Sequence, residues 1–179
     1  MNKFVRVLAV FGMIIWTGCE GAKAPLGPPN EVHVDSRLEG EWVAQDTDGS
    51  KVNVKIWGFN DSEYYLEYLR LNADGQPDDD LMRLRGFSTP IATGMYANIA
   101  CINCEEADNE EEDEGQNWFF FVYEITPNGD LRVQSVDDDV HEIGLKDLSD
   151  VASIRAYVEA HATDKGFLQD EVLVFKKAK

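Results

Sequence analysis

The sequence has little that could hold a metal, break a bond or span a bilayer. Cysteine is scarce, with only Cys19, Cys101 and Cys104 in 179 residues, so the fold cannot depend on a disulfide framework. The three histidines, His33, His141 and His161, are scattered and form no legible zinc-ligand set with the cysteines. Basic residues number 16 against 34 acids, a formal charge of −18, which argues against nucleic acid as a partner. Long apolar runs are missing too, and no internal repeat is visible. His141 lies near Asp139, Glu142 and Ser135, but no nucleophile elbow or paired-histidine motif surrounds them. No catalytic residue, metal or cofactor is therefore expected.

The longest apolar stretch, Val7 to Trp16, is broken by Gly12 and follows a short basic start with Lys3 and Arg6. It suits a secretory signal, whereas a membrane-spanning helix needs roughly 18 residues or more. The stretch ends in Thr17-Gly18-Cys19, which resembles the lipobox of bacterial lipoproteins, although Trp16 stands where that pattern usually has leucine. The resemblance implies a signal peptide over 1–18, removed before Cys19, and lipid on that cysteine. The alternative is an ordinary secretory signal followed by an unlipidated cysteine. Loss of Lys3 and Arg6 would take the charge two units further negative. Residues 20–32 carry three prolines and two glycines without periodicity. They read as a flexible tether reaching ~40 Å at about 3.1 Å per residue. The partition is thus signal 1–18, lipidated cysteine and tether 19–32, and one domain 33–179, large enough to bury a core.

Within that domain, short strands alternate with turn signals. The expected strands are 38–45, 51–57, 63–71, 81–85, 95–102, 117–125, 130–136 and 171–176. Asp48-Gly49 and Asn128-Gly129 mark tight turns. Val52, Val54 and Ile56 share one face, as do Tyr64, Leu66 and Tyr68. The aromatic strand 117–125 is apolar on both faces, so one face needs a cover. A helix capped by Ser149, with Val151, Ile154, Tyr157 and Val158 at helical spacing, is expected to lie over it or a neighbour. Eight strands joined mainly by hairpins predict a mainly β fold. Its form is an up-and-down antiparallel barrel with one helix before the last strand.

Gly40-Glu41-Trp42 opens the first strand, and Gly-x-Trp there resembles the signature of lipocalins and the wider calycin group. The resemblance covers the layout of about 38–177 and rests on that short motif. It implies that Gly40 and Trp42 form the barrel floor, near a basic residue of a late strand, Lys176 or Lys177. It also implies a ligand site inside the barrel, for which Val54, Ile56, Tyr64, Leu66, Tyr68 and Phe120 are the candidates. The alternative is that these residues fill a closed core.

Cys101-Ile102-Asn103-Cys104 ends a strand and runs into Glu105 and Glu106, the wrong setting for a redox dithiol at a helix N-terminus. A structural disulfide between Cys101 and Cys104 is expected, with free thiols the alternative. From Glu105 to Glu114 only Ala107 and Asn109 are not acidic. Counting from Asp108, the sixth position is Asp113, where a calcium-binding EF-hand loop needs glycine. A solvated loop is the simpler reading. In a meander, loops after odd-numbered strands share one end. They hold Asp46 and Asp48, Asp74 and Asp78 to Asp80, the 105–114 run, then Asp137 to Asp139 and Glu142. The opposite loops, 59–62, 87–94 and 126–129, contain only Asp61. The tether is expected to join this quieter end, so that the acidic pole points away from anionic head groups.

The function expected from these readings is a non-enzymatic, lipid-anchored envelope protein. It would bind a small apolar or cationic ligand in or at the mouth of the barrel. An assembly factor that contacts a basic protein through its acidic end is the alternative. A monomer is expected. Glu20 is not the aspartate that marks inner-membrane retention in enteric lipoproteins, which favours the outer membrane in a Gram-negative cell.

Overall fold

The computed structural model describes residues 21–45, 48–102, 117–137 and 144–178. Eight antiparallel strands close into one barrel in chain order. They are β1 (Gly40–Gln45), β2 (Lys51–Gly58), β3 (Tyr64–Leu71), β4 (Met82–Ile91), β5 (Gly94–Cys101), β6 (Trp118–Ile125), β7 (Leu131–Ser135) and β8 (Leu173–Lys177). β1 closes the ring on β8 through the pairs Trp42–Lys177 and Val43–Lys176. Helix α1 (Val151–His161) precedes β8. The expected fold class, up-and-down barrel and single late helix are all present.

Register settles which side chains face inward, because directly paired residues share a face. Trp42 pairs with Val54, Val54 with Tyr68 and Tyr68 with Met82. The inward set continues through Leu84, Ile99 and Phe119, which are paired in turn around the ring via Cys101 and Gly86. Its inner core includes Trp42, Val52, Ile56, Tyr64, Leu66, Leu131 and Phe175.

A second core lies outside the barrel wall. Phe87, Ile91, Tyr96, Ala100, Trp118 and Phe120, on the outer faces of β4 to β6, pack with Ile154 and Val158 of α1. The helix covers the doubly apolar strand, as its two-faced pattern requires. Its N-cap is Asp150 rather than Ser149: the Asp150 carboxylate accepts from the Ser153 backbone N–H at 3.0 Å. An ionised acceptor one residue further on supplies a stronger cap.

β4 runs to Ile91, well past the expected end at Arg85. Phe87, Thr89 and Ile91 are buried beneath the outer cover while Ser88 is buried inside. The run that looked like a loop is thus a strand buried on both sides.

The segment read as a tether is also corrected. Residues 21–31 lie along the outer wall. Ala22 forms a two-way backbone bridge with Trp118, both bonds 2.9 Å. Leu26 is fully buried, and its N–H donates to the Asn98 side chain at 2.7 Å. Glu31 pairs with Arg155 of α1 at 2.7 Å. Proline and glycine here serve close docking against a wall rather than freedom. Further on, Val34 donates to the Asp61 carbonyl at 2.9 Å, and β1 begins.

Candidate functional site: the barrel lumen

The floor is built around Trp42. Its indole N–H donates to the Leu38 carbonyl at 2.7 Å, and the Lys177 Nζ lies 5.2 Å from the ring centroid. Lys177 also donates to the Arg37 carbonyl at 3.1 Å. Lys177 pairs with Trp42 and so shares its face; Lys176, one residue earlier, faces outward. Gly40 has φ +124°, and a Cβ there would stand 3.0 Å from Lys177 Cε. Glycine at this position therefore meets two needs: a left-handed backbone and space for the lysine that caps the indole. Leu38, Trp42, Tyr64 and Phe175 are buried here.

Above the floor lies a chain of hydroxyls. The Asp35 N–H donates to the Tyr64 hydroxyl, and Ser88 Oγ lies 2.7 Å from the Tyr123 hydroxyl. Ser88 also stands beside Tyr64. Burial pushes the Tyr64 phenol up to about 12, and it raises Tyr123 and Tyr68 as well. All three remain neutral hydrogen-bonding groups at physiological pH. Gly86, also inward, fits only as glycine: a Cβ would come within 2.5 Å of Ile99 Cδ1 and 2.9 Å of the Asn98 carbonyl.

Towards the other end the inner wall is apolar and only partly covered. Val54, Tyr68, Leu84, Ile99, Phe119 and Phe121 all face inward by register, yet each is only half-buried. These side chains face inward and still keep part of their surface open to solvent. Arg70 is the inward cation at this end and pairs with Asp78 at 3.5 Å.

Five of the six candidate lining residues, Val54, Ile56, Tyr64, Leu66 and Tyr68, are brought together on the inner face. The sixth, Phe120, is corrected: it pairs with Asn98 and packs in the outer core. Its neighbours Phe119 and Phe121 face the lumen instead. In a strand apolar on both sides, alternation separates two faces without saying which is inside. Ser88, Tyr123 and Lys177 are further lumen groups; the strand signal stopping at Arg85 hid Ser88.

Cys101 ends β5 on the inner face and is disulfide-bonded. Cys19, Cys104, His141 and the 105–114 run lie outside the described residues. Ser135 faces inward on β7 and donates to the Val136 carbonyl at 3.3 Å. His161 pairs with Asp164 at 2.7 Å, and His33 sits 3.3 Å from the Asp61 carbonyl. Among the described residues, no three His, Cys, Asp or Glu side chains converge as a metal site. A separate open hollow lies at the floor end, lined by His33, Glu39, Phe59 and Asp61 among others. Comparison with protein-family models, curated proteins and solved structures returns no match.

Proposed function

We propose that this is a lipid-anchored envelope protein that carries a small, largely apolar ligand in the lumen of its barrel, without catalysing a reaction. The observation that carries this reading is the half-exposed inner wall. Apolar side chains turned inward yet reached by solvent gain from an apolar guest that removes their surface from water. The hydroxyls of Ser88 and Tyr123 offer a ligand a neutral polar contact, and the acidic loops at the mouth favour a neutral or cationic guest over a fatty acid. The Gly40–Trp42–Lys177 floor supports the lipocalin-like likeness. The signal-like N-terminus ending at Cys19 supports lipidation and placement in the envelope, with outer-membrane location favoured in a Gram-negative cell.

Native mass spectrometry on protein extracted gently from its own envelope tests this reading. A reproducible extra mass of small-molecule size, lost on denaturation, is expected. A bare monomer accompanied by a basic protein would instead favour an assembly factor working through the acidic end.

A further inference from the structure

The docked N-terminal segment fixes more than a tether could. β6 starts at Trp118 and runs towards the floor, ending at Ile125 beside the β6–β7 turn. The bridge between Ala22 and Trp118 therefore stands at the end where β5 finishes at the Cys101 disulfide. Among the described residues, the loops at that end contain Asp48, Asp74, Asp78 to Asp80 and Asp137. The tether was expected to join the domain at the quieter end, where β1 begins; the described part of that segment already lies against the wall from Ala22 on, at the opposite end. The segment enters at the acidic end, descends the outer wall past Asn98 and Arg155, and only then turns into β1 at the floor.

Cys19 is two residues before Gly21. Two residues span at most about 7 Å, against the ~40 Å of a free tether. The two ends of the barrel are about 20 Å apart, for tilted strands of roughly eight residues. An acyl chain on Cys19 would thus be held beside one end and out of reach of the other. We propose that the barrel stands with its acidic, disulfide-bearing end against the membrane that holds its lipid. A lumen opening there exchanges its ligand at the lipid surface instead of through bulk water. Repulsion between the acids and anionic head groups works against this contact but cannot reverse it over so short a link. The inference rests on lipidation at Cys19.

The test uses the full lipidated protein in phosphatidylcholine vesicles containing head-group nitroxide quenchers. A fluorescent non-natural residue is placed at Asp74 in one sample and at Asn128 in another; both positions are exposed loop sites. Quenching at 74 is expected to exceed that at 128 several-fold. A Gly-Ser insert of about 20 residues between Glu20 and Gly21, with a typical reach of roughly 25 Å, should bring the two values together. Greater quenching at 128, or a contrast unchanged by the insert, would overturn the orientation while leaving the lipoprotein reading intact. Intact mass without acyl groups would remove both.

Discussion

Gly86 shows how closely the lower inner wall is filled. A methyl group there meets the Asn98 carbonyl as well as the tip of Ile99. The side chain can rotate, but the backbone cannot move without shifting the β4–β5 ladder. Gly86→Ala should therefore destabilise the barrel by about 1–3 kcal/mol, the usual cost of overpacking, read as a lower denaturation midpoint with an unchanged slope. Tyr64 supplies a second residue-level prediction. Its phenol is held up to about 12, above the ordinary tyrosine value of 10.0, by burial. Below pH 10 it is neutral in both the folded and unfolded chain, so its contribution to stability is fully present. From 10 to 12 the unfolded chain loses the proton first, and stability falls as pH rises. Thermal melts across that window should fall less steeply for Tyr64→Phe than for the native protein. Parallel curves would contradict the burial of this hydroxyl. Near neutral pH the same variant loses the bond from Asp35 N–H and should be about 1 kcal/mol less stable.

The elements divide into those that sequence periodicity reveals and those that only the outer layer explains. β2 was legible because Val52, Val54 and Ile56 alternate with polar residues, and β3 because Tyr64, Leu66 and Tyr68 share one face. β4 was only half legible: Gly86, Ser88 and Pro90 look like turn residues until α1 and the N-terminal segment are seen to bury Phe87, Thr89 and Ile91 on the other face. The segment 21–31 was misread for a related reason. Its attachment depends on backbone bonds and on two buried side chains, Ala22 and Leu26, and no hydrophobic period records that. The floor glycine and tryptophan were visible as a motif, whereas the choice of Lys177 over Lys176 required the β1–β8 register. Asn98 joins these layers. Its Oδ1 accepts from Leu26 N–H at 2.7 Å, and its Nδ2 donates to Thr89 Oγ1 at 2.9 Å and to the Phe87 carbonyl at 3.2 Å. Asn98→Ala strands buried polar groups, at about 1–3 kcal/mol. It should also quicken tryptic cleavage after the exposed Lys23, and an unchanged cleavage rate would mean that the segment is held elsewhere.

At the scale of the whole molecule, the barrel is polarised twice. One end is closed by Leu38, Trp42 and Lys177; the other combines an incompletely covered apolar inner wall with the described loop acids Asp48, Asp74, Asp78 to Asp80 and Asp137. The charge asymmetry was readable from sequence once a meander was assumed, because loop parity alone assigns loops to ends. The position of the chain's entry was not, since it follows from the docking of Ala22 on Trp118. The lumen remains central, and filling it is the most direct test. Ala97 faces inward between Ser88 and Phe121, where a large ring would occupy space otherwise left to a guest. Native mass spectra should be compared for wild-type and Ala97→Trp proteins extracted from the same envelope, each checked for an intact thermal transition. Ligand carriage in the lumen predicts an extra small-molecule mass on the wild type that is lost or sharply reduced in the variant. The same mass at the same occupancy on both proteins would contradict it, and would place the ligand outside the barrel.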